Sequence, residues 1–406
     1  MYRRLFLFLL LLIVLLPGIV LADPAEDLTA GCIVKTIDNK RSVNAMRDGK
    51  YTTWWESTDR KDPWVMIESG EPMYGLYLCF NKTPESYVIQ EQHENDWLTV
   101  AQGSDCPFSH AFFELNGQKA IRILSTAENR KAIGFYEIFV FGKGDLPDWV
   151  QRWQPPLEKA DILFFVAHPD DELLFLGGAI PTYAAEKGKK VQVAYLTNPA
   201  KVRRSEALNG LWAAGVQNYP QFGPFADRFP ESGKLSDSYA LAGGKDKVLE
   251  WVTELFRKYH PLVVVTHAEN GEYGHPQHKM AAAVSRECFE LAADASSFPD
   301  SASQYGAWQV KKLYLHLYGE EENQTVFDWD QPLAAFNGKT GAQIASEAFA
   351  LHVTQCGAIM KWRNNKRVTL TVEEFGAKMY PYDRFGLYSS TVGEDTAKDD
   401  FLEHID

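Results

Sequence analysis

The sequence predicts two folded parts, an all-β sandwich followed by an α/β domain with a doubly wound parallel sheet. Short β-branched and aromatic runs divided by turn residues fill residues 31–142, a spacing typical of a sandwich. After residue 160, nearly continuous apolar runs alternate with segments of helix length, which indicates buried parallel strands joined by helices. Glycine and proline in residues 143–159 indicate a linker between the two parts.

The expected strands of the first part are short and mostly alternate polar with apolar residues. They are Trp64–Ile67, Gly75–Phe80, Tyr87–Gln90, Ala120–Leu124 and Phe135–Phe141. Turn signals divide them at Asp48-Gly49, Ser69-Gly70, Asn81-Lys82 and Asn116-Gly117.

The second part, residues 160–406, begins with a buried strand and continues as alternating helices and strands. The expected strands are Asp161–Ala167, Lys190–Leu196, Pro261–Thr266 and Lys312–Tyr318. The expected helices are Glu172–Lys187, Arg203–Ala214, Lys245–Lys258 and His278–Ala293.

The composition argues against a nucleic-acid-binding protein. The 406 residues carry 41 basic and 54 acidic side chains, a formal net charge of −13. Contacts with a phosphate backbone need clustered Lys and Arg, which this balance does not supply. A hydrophobic content of 45% with many aromatic residues predicts ordered domains with substantial cores. No obligate protein partner is indicated.

Residues 1–22 have the pattern of a secretory signal peptide. Arg3 and Arg4 precede the apolar run Leu5–Leu16, and the small residue Ala22 suits cleavage. We therefore expect a secreted or extracytoplasmic protein. A segment left uncleaved would instead anchor the chain to a membrane. The remaining five cysteines have no Cys-x-x-Cys spacing, and we expect mainly buried small side chains with one or two bridges.

The first strand of the α/β part leads directly into His168-Pro169-Asp170-Asp171-Glu172. In open α/β sheets, ligands bind beyond the carboxyl ends of the strands. Adjacent acids repel one another unless a cation or a helix dipole offsets their charge. Helix capping explains one of these acids and leaves the histidine and a second aspartate unexplained.

A second cluster follows the third strand, where His275 and His278 stand three residues apart at a helix start. A metal bound by His168, Asp171 and His278 has two imidazole ligands, one carboxylate and an open position for water, the composition of a catalytic zinc site. Zinc lowers the pKa of bound water from 15.7 to about 7. The predicted cofactor is therefore Zn²⁺.

The neighbouring residues suit the remaining steps of amide or ester hydrolysis. Asp170 is adjacent to a ligand and is free to take a proton from the water. His275, if protonated, and Tyr273 are candidate hydrogen-bond donors to the oxyanion.

Two short motifs resemble the signatures of the LmbE-like or PIG-L family of zinc-dependent de-N-acetylases. They are Ala167–Glu172 and Tyr273–His278, and weaker matches occur at Arg203–Glu206, Ala214–Val216 and His352–Gln355. The resemblance covers residues 160–357. It implies a Rossmann-like fold and removal of acetyl groups from N-acetylglucosamine-containing molecules, or cleavage of related amides.

The resemblance also implies roles for individual residues. The zinc ligands are then His168, Asp171 and His278, with Asp170 as general base and His275 as oxyanion stabiliser. For Arg203, the alternatives are a contact with substrate and a salt bridge to Glu206. His352 is expected to support the metal site or line the substrate pocket.

One position departs from the family pattern. Many relatives have Asp where this chain has Gln277. A neutral amide there is expected to hold a proton on His275 less firmly, which affects the pH optimum.

The N-terminal region is similar to discoidin-like (factor 5/8 C-type) β-sandwiches. The resemblance rests on Asp48-Gly49, Thr52–Trp55, Trp64–Ile67 and Tyr136–Gly142. Such modules commonly bind carbohydrate through loops at one end. The alternative for Trp54, Trp55, Trp64 and Trp97 is a place in the core.

Three other functions compete with a zinc deacetylase. The pattern His168-x-Asp170…His278 also fits an iron oxygenase, although that class needs a β-barrel scaffold. A zinc amidase acting on a non-sugar amide and a carbohydrate-binding protein with an inactive hydrolase domain stay open. We expect a zinc-dependent deacetylase acting on an N-acetylated glycan or glycoconjugate.

Overall fold

The computed structural model describes residues 23–38, 42–58, 61–94, 96–129, 132–356, 360–363, 366–369, 374 and 381–405. The predicted signal peptide, residues 1–22, lies outside these ranges. Within them, no helix combines the length and the apolar character needed to cross a bilayer. All five cysteines lie in these ranges and are free thiols, so the expected bridges are absent there.

The N-terminal part is all-β, as predicted, and its described strands form one seven-stranded antiparallel sheet. Its strands are β1 Ile33–Thr36, β2 Trp55–Glu56, β3 Trp64–Lys82, β4 Tyr87–His93, β5 Asp96–Gln102, β6 His110–Ser125 and β7 Gly134–Phe141. The order is β2-β7-β3-β6-β4-β5, and β1 pairs with β3.

Two of the predicted turns are wrong, because Ser69-Gly70 and Asn116-Gly117 lie inside the long strands β3 and β6. The pairing of these strands shifts in register between Glu68 and Gly75. Before the shift β3 also pairs with β1, and after it with β7. The glycines therefore mark bulges that carry one strand from one partner to the next.

The tryptophans of this sheet differ in environment. Trp55 is fully buried in the apolar core, whereas Trp54 is 43% exposed. The guanidinium of Arg122 stacks over the ring of Trp97. The core interpretation is therefore confirmed for Trp55 and wrong for Trp54.

The second described sheet has the expected parallel strands together with an antiparallel edge. The remaining strands are β8 Ile162–Val166, β9 Val191–Asn198, β10 Gln221–Ala226, β11 Val263–Thr266, β12 Lys312–His316, β13 Gln324–Val326, β14 Met360–Arg363, β15 Lys366–Thr369 and β16 Arg384–Ser390. Its order is β10-β9-β8-β11-β12-β16-β13, and the first five strands run parallel. β16 is antiparallel to both neighbours, and β14 pairs with β15 apart from this sheet.

Helices cover both faces of this sheet. The described residues contain α1 Asp171–Leu174, α2 Ala179–Pro181, α3 Lys201–Ala213, α4 Leu235–Leu241, α5 Lys245–Tyr259, α6 Pro276–Leu291, α7 Pro299–Tyr305 and α8 Gly341–Phe349. Alternate residues of β8 enter opposite cores, Phe164 on one face and Phe165 on the other. The chain leaves β8 toward β9 and later returns to β11 on its other side, which makes the end of β8 the topological switch point.

The single helix predicted at Glu172–Lys187 is wrong. The structure has the short helices α1 and α2 and a π-helical turn, Thr182–Glu186. Gly177 has a φ of +56°, which is not helical. A Cβ on Gly177 would lie 2.1 Å from the ring of Tyr382, so a distant segment packs where only glycine leaves room.

Candidate metal centre

The candidate site lies at the carboxyl ends of the neighbouring parallel strands β8 and β11. The loop after β8 supplies His168, Asp170 and Asp171, and the loop after β11 supplies His275 and His278 at the start of α6. Because these strand ends are adjacent, residues more than 100 positions apart meet in one buried cluster. The structure thus brings the predicted ligands together.

Asp171 lies between two imidazole rings. Its Oδ2 is 3.1 Å from His168 Nδ1, and its Oδ1 is 3.3 Å from His278 Nε2. In a tetrahedral zinc site with bonds of about 2.0–2.1 Å, ligand atoms are about 3.3 Å apart. His278 Nε2 is buried and has no hydrogen-bond partner in the described part of the chain. The donor atoms and their spacing therefore fit a divalent metal.

Two overlapping triads in the described residues have ligand atoms within 4.8 Å of one another. They are His168, His275 and His278, and Asp171, His267 and His278. His267 is committed elsewhere, because its Nε2 accepts from the backbone N–H of Ala167 and its Nδ1 faces Glu272. His275 Nδ1 accepts from the backbone N–H of Gln277. The predicted set of His168, Asp171 and His278 combines the two triads, because each of its members belongs to at least one of them.

Glu272 is a fully buried carboxylate that orients the histidines. It accepts hydrogen bonds from Nδ1 of His278 at 2.8 Å, of His267 at 3.1 Å and of His316 at 3.0 Å, and from the backbone N–H of Ala268. Burial alone would raise the pKa of Glu272, but His267 and the other donors hold it well below its usual range. With its proton on Nδ1, His278 presents the Nε2 lone pair to the site.

Sequence reasoning missed Glu272, His267 and His316. His267 directly follows β11, and His316 is the last residue of β12. Because ligands bind at the carboxyl ends of parallel strands, the positions of both histidines could have indicated a place at the site. Glu272 lies between the two sequence motifs. Its contacts with three imidazole rings depend on the conformation of the loop after β11.

The side chain of Gln277 contacts His168. Its amide therefore affects the proton of His168, and not that of His275 as predicted. Gln277 Oε1 accepts from His168 Nε2 at 2.9 Å, while its amide Nε2 donates to the carbonyl of Ala226 at 2.8 Å. Because the amide nitrogen is fixed by Ala226, the oxygen must face the ring. The proton of His168 is therefore on Nε2, and the Nδ1 lone pair faces Asp171.

Asp170 sits beside the cluster in a strained backbone conformation, with φ of +115°. Its backbone N–H donates to Glu172 Oε2 at 2.9 Å, and Glu172 also accepts from the Tyr195 hydroxyl at 2.8 Å. Burial and the neighbouring Asp171 raise the pKa of Asp170 well above its usual range. Its position beside Asp171 lets this carboxyl exchange a proton with a water at the centre.

Of the two alternatives for Arg203, the salt bridge to Glu206 is wrong. Arg203 Nη1 binds Asp227 Oδ2 at 2.6 Å, and its Nη2 donates to the carbonyl of Pro169. Glu206 accepts instead from the backbone and hydroxyl of Thr354. Arg203 Nη2 also lies 3.5 Å from Asp170 Oδ1, so this guanidinium borders the site.

His275 and Tyr273 border the metal ligands on the solvent side. The His275 ring centroid is 4.6 Å from that of His168, and the Tyr273 ring, 55% exposed as a residue, is 5.3 Å from that of His278. Burial and the neighbouring His168 and His278 lower the pKa of His275 to about 2. The prediction made a charged ring a condition, and this shift does not favour one; because Nδ1 accepts from Gln277, the neutral ring has its proton on Nε2. A neutral ring still offers one donor.

His352 is fully buried behind the site and does not line an open surface. Its Nε2 is 3.7 Å from Glu172 Oε1, and burial and Arg203 lower the pKa of this histidine to about 3. A Cβ on Gly210 would lie 2.7 Å from the same nitrogen. The structure thus favours the supporting role over the predicted contact with substrate.

Solved structures similar to this chain include two carbohydrate-related proteins. N,N'-diacetylchitobiose deacetylase from Pyrococcus horikoshii is 16% identical, with a TM-score of 0.37, and the match covers 50% of this chain and 74% of that one. Chitosan-binding module 1 from a Paenibacillus sp. IK-5 chitosanase/glucanase is 18% identical, with a TM-score of 0.26, over 29% of this chain and 99% of the module.

Sequence comparison concerns the α/β part. Residues 163–289 match the family described as PIG-L, GlcNAc-PI de-N-acetylase. The chain is 32% identical over 204 residues to 1D-myo-inositol 2-acetamido-2-deoxy-alpha-D-glucopyranoside deacetylase 1 of Frankia casuarinae. That match covers 43% of this chain and 64% of the relative, so the chain spans less than two thirds of the relative's length. Both sequence motifs lie within residues 163–289, so the part of the chain that assembles them at one centre is the part that matches the PIG-L, GlcNAc-PI de-N-acetylase family.

Proposed function

We propose that this protein is a zinc-dependent hydrolase that removes acetyl groups from N-acetylated amino sugars in a glycan or glycoconjugate. The observation that carries the proposal is the approach of His168 Nδ1 and His278 Nε2 to the two oxygens of Asp171, at 3.1 and 3.3 Å. The match to the PIG-L family and the deacetylase named in the Frankia relative support the acetamido sugar as substrate class.

The ligands of the proposed zinc are His168, Asp171 and His278. Two imidazoles and one carboxylate leave a coordination position open, as catalytic zinc sites require. Zinc bound there supplies a water of pKa near 7 and polarises the amide carbonyl. Gln277 and Glu272 fix the protons of the two imidazoles on the nitrogens that face away from Asp171.

Asp170 acts as general base and then as general acid in the proposed reaction. Its carboxyl takes a proton from the attacking water and delivers it to the amine that leaves as the C–N bond breaks. Glu172 fixes the strained backbone of Asp170 through the hydrogen bond to its N–H. The raised pKa of Asp170 favours the return of the proton to the amine.

His275 and Tyr273 stabilise the oxyanion that forms from the acetyl carbonyl. Neutral His275 donates through Nε2–H, because its Nδ1 already accepts from Gln277. Tyr273 contributes a hydroxyl from the exposed side of the cluster. Removing one such donor costs about 10²–10³ in kcat in a well-studied hydrolase.

The proposal extends to location and to the first domain. The apolar residues 5–16 behind two arginines support export, so we expect the substrate outside the cytoplasm. A carbohydrate-binding role for residues 31–142 would raise the concentration of a glycan at the metal centre.

Two variants separate ligand loss from loss of the base. In Asp170→Asn, zinc content by atomic absorption should stay near one per chain, while acetate release from N-acetylglucosamine oligomers should fall at least about 100-fold. In His278→Ala, zinc and activity should disappear together. Zinc loss from Asp170→Asn, or full zinc retention by His278→Ala, would contradict the assigned ligand set.

A further inference from the structure

A cavity of about 680 Å³ lies between the N-terminal sheet and the α/β part, away from the metal centre. Ligand pockets commonly lie at domain interfaces and have volumes of about 300–1,000 Å³. Six of the residues that line it bear on its chemistry: Tyr77, Phe139, Trp149, Asn209, Trp212 and Lys339. Because both parts of the chain contribute, the cavity depends on the intact protein.

Helix α3 runs from the metal centre to this cavity. Arg203, near the start of α3, contacts the loop of Asp170, whereas Asn209 and Trp212 face the cavity from further along the helix. Nine residues at 1.5 Å each place Trp212 about 14 Å from Arg203 along the axis. None of the metal ligands lines the cavity, so a ligand there is bound apart from the reacting amide.

The aromatic side chains of the cavity are held in fixed positions. Trp149 is 46% exposed, yet its ring packs against Phe139 at 4.8 Å and Tyr77 at 6.1 Å between centroids. The indole N–H of Trp212 donates to the backbone carbonyl of Asp148 at 2.7 Å. A rigid, partly exposed indole offers a large apolar face at little cost in conformational entropy.

Polar groups surround these rings. Asn209 accepts from the Gln151 amide at 2.7 Å, and Lys339 forms an ion pair with Glu347 at 2.8 Å. Asp148 adds a further carboxylate to the lining. With two carboxylates and one ammonium, the cavity disfavours an anionic ligand, and its amide and carboxylate groups suit hydroxyl groups.

We propose that this cavity binds a neutral oligosaccharide of N-acetylated amino sugars, with a pyranose ring stacked on Trp149. A sugar ring has an apolar C–H face and a polar edge, the two properties that the indole face and the surrounding amide and carboxylate groups match. The choice of N-acetylated sugars rests on the proposed function. The cavity is then a second place where the protein contacts the saccharide, apart from the proposed catalytic site.

The test is isothermal titration of tri-N-acetylchitotriose into intact, zinc-loaded protein carrying Asp170→Asn, which prevents turnover. Trp149→Ala in this background should weaken one binding event about tenfold or more and leave a second event, at the metal centre, unchanged. Leu241→Ala removes a comparably exposed apolar side chain on α4, outside the cavity, and should change neither event.

Trp149→Phe is the control for correct folding, because it keeps an aromatic ring against Phe139. This variant should bind the oligosaccharide with intermediate affinity. An isotherm for Trp149→Ala identical to that of its parent would overturn the proposal, as would equal losses from Trp149→Ala and Leu241→Ala. Neither result bears on acetate release from a monomeric substrate by the enzyme with Asp170 intact. Failure of this inference is therefore distinguishable from failure of the proposed function.

Discussion

Gln277 shows how one side chain determines which nitrogen of a candidate ligand is available. Its amide nitrogen is occupied by the carbonyl of Ala226, so its oxygen accepts from His168 Nε2. A carboxylate at this position would accept the same proton but would lose the donor to Ala226. The amide therefore serves the orientation of His168 without adding a negative charge.

Gln277→Leu should weaken zinc binding by about 10–100-fold, because His168 loses the acceptor that fixes its tautomer. The measurement is the zinc dissociation constant from competition with a chromophoric chelator, which needs no substrate. Gln217→Leu, at an exposed position, is the matched control. An unchanged zinc affinity in Gln277→Leu would show that this hydrogen bond does not orient a ligand.

The predicted ligands were recognisable in the sequence, whereas their supporting contacts were not. His168, Asp171 and His278 stand in short motifs at strand ends, and a motif specifies which residues meet. The contacts of Gln277 with His168 and of Arg203 with Asp227 depend on the path of the loop after β10. No local pattern in the sequence encodes that path.

At the scale of elements, strand β7 carries a buried acid that couples the N-terminal sheet to pH. Glu137 is 1% exposed and accepts from the backbone N–H of Lys50 at 2.8 Å. Burial raises the pKa of Glu137 from 4.5 to about 7. Between these values the unfolded chain has lost the proton and the folded chain keeps it, so stability falls as pH rises through this window.

Glu137→Gln should remove this part of the pH dependence, because the amide keeps the acceptor for Lys50 and carries no charge. Between pH 5 and pH 8 the thermal midpoint of the wild type should fall relative to that of the variant, by on the order of 5 °C. Circular dichroism melts at both pH values measure it, with Glu114→Gln on exposed β6 surface as control. Parallel pH profiles for wild type and Glu137→Gln would refute the assignment.

The prediction of helices and strands was accurate where the local sequence pattern determines the element. It failed where contacts with distant residues determine it. The apolar strands β8, β9, β11 and β12 lie within two residues of their predicted ends. The helix predicted after β8 is broken at Gly177, against which the ring of Tyr382, about 200 residues later, packs too closely for a Cβ. The antiparallel strand β16 belongs to a stretch in which the sequence showed no clear element.

At the scale of the whole molecule, the two parts are joined by an aromatic contact. Phe108, from the loop before β6, is buried in the same apolar cluster as β8, and its ring stacks on Tyr219 at 4.6 Å. The hydroxyl of Tyr219 also contacts Ser109. The first part is therefore packed into the core of the second, and we expect one cooperative unfolding transition.

Tyr219→Ala should separate that transition into two, because it removes the partly buried ring that stacks on Phe108 and joins the two parts. Truncating a fully buried aromatic residue costs about 3 kcal/mol, which is the upper bound for this change. Differential scanning calorimetry of the intact protein is the measurement. Tyr74→Ala, at an exposed position of the first sheet, should leave the transition single. A single, unshifted transition in Tyr219→Ala would mean that the two parts are coupled by other contacts.

The proposed roles of all these residues depend on the reaction at the metal centre. The most direct test is acetate release by zinc-loaded protein from N-acetylglucosamine oligomers, inositol-linked N-acetylglucosamine and a non-sugar acetamide, with Asp170→Asn alongside. We predict acetate and free amine in equal amounts from at least one acetamido sugar, and none from Asp170→Asn. Release from the non-sugar amide alone, or from no compound, would contradict a sugar de-N-acetylase.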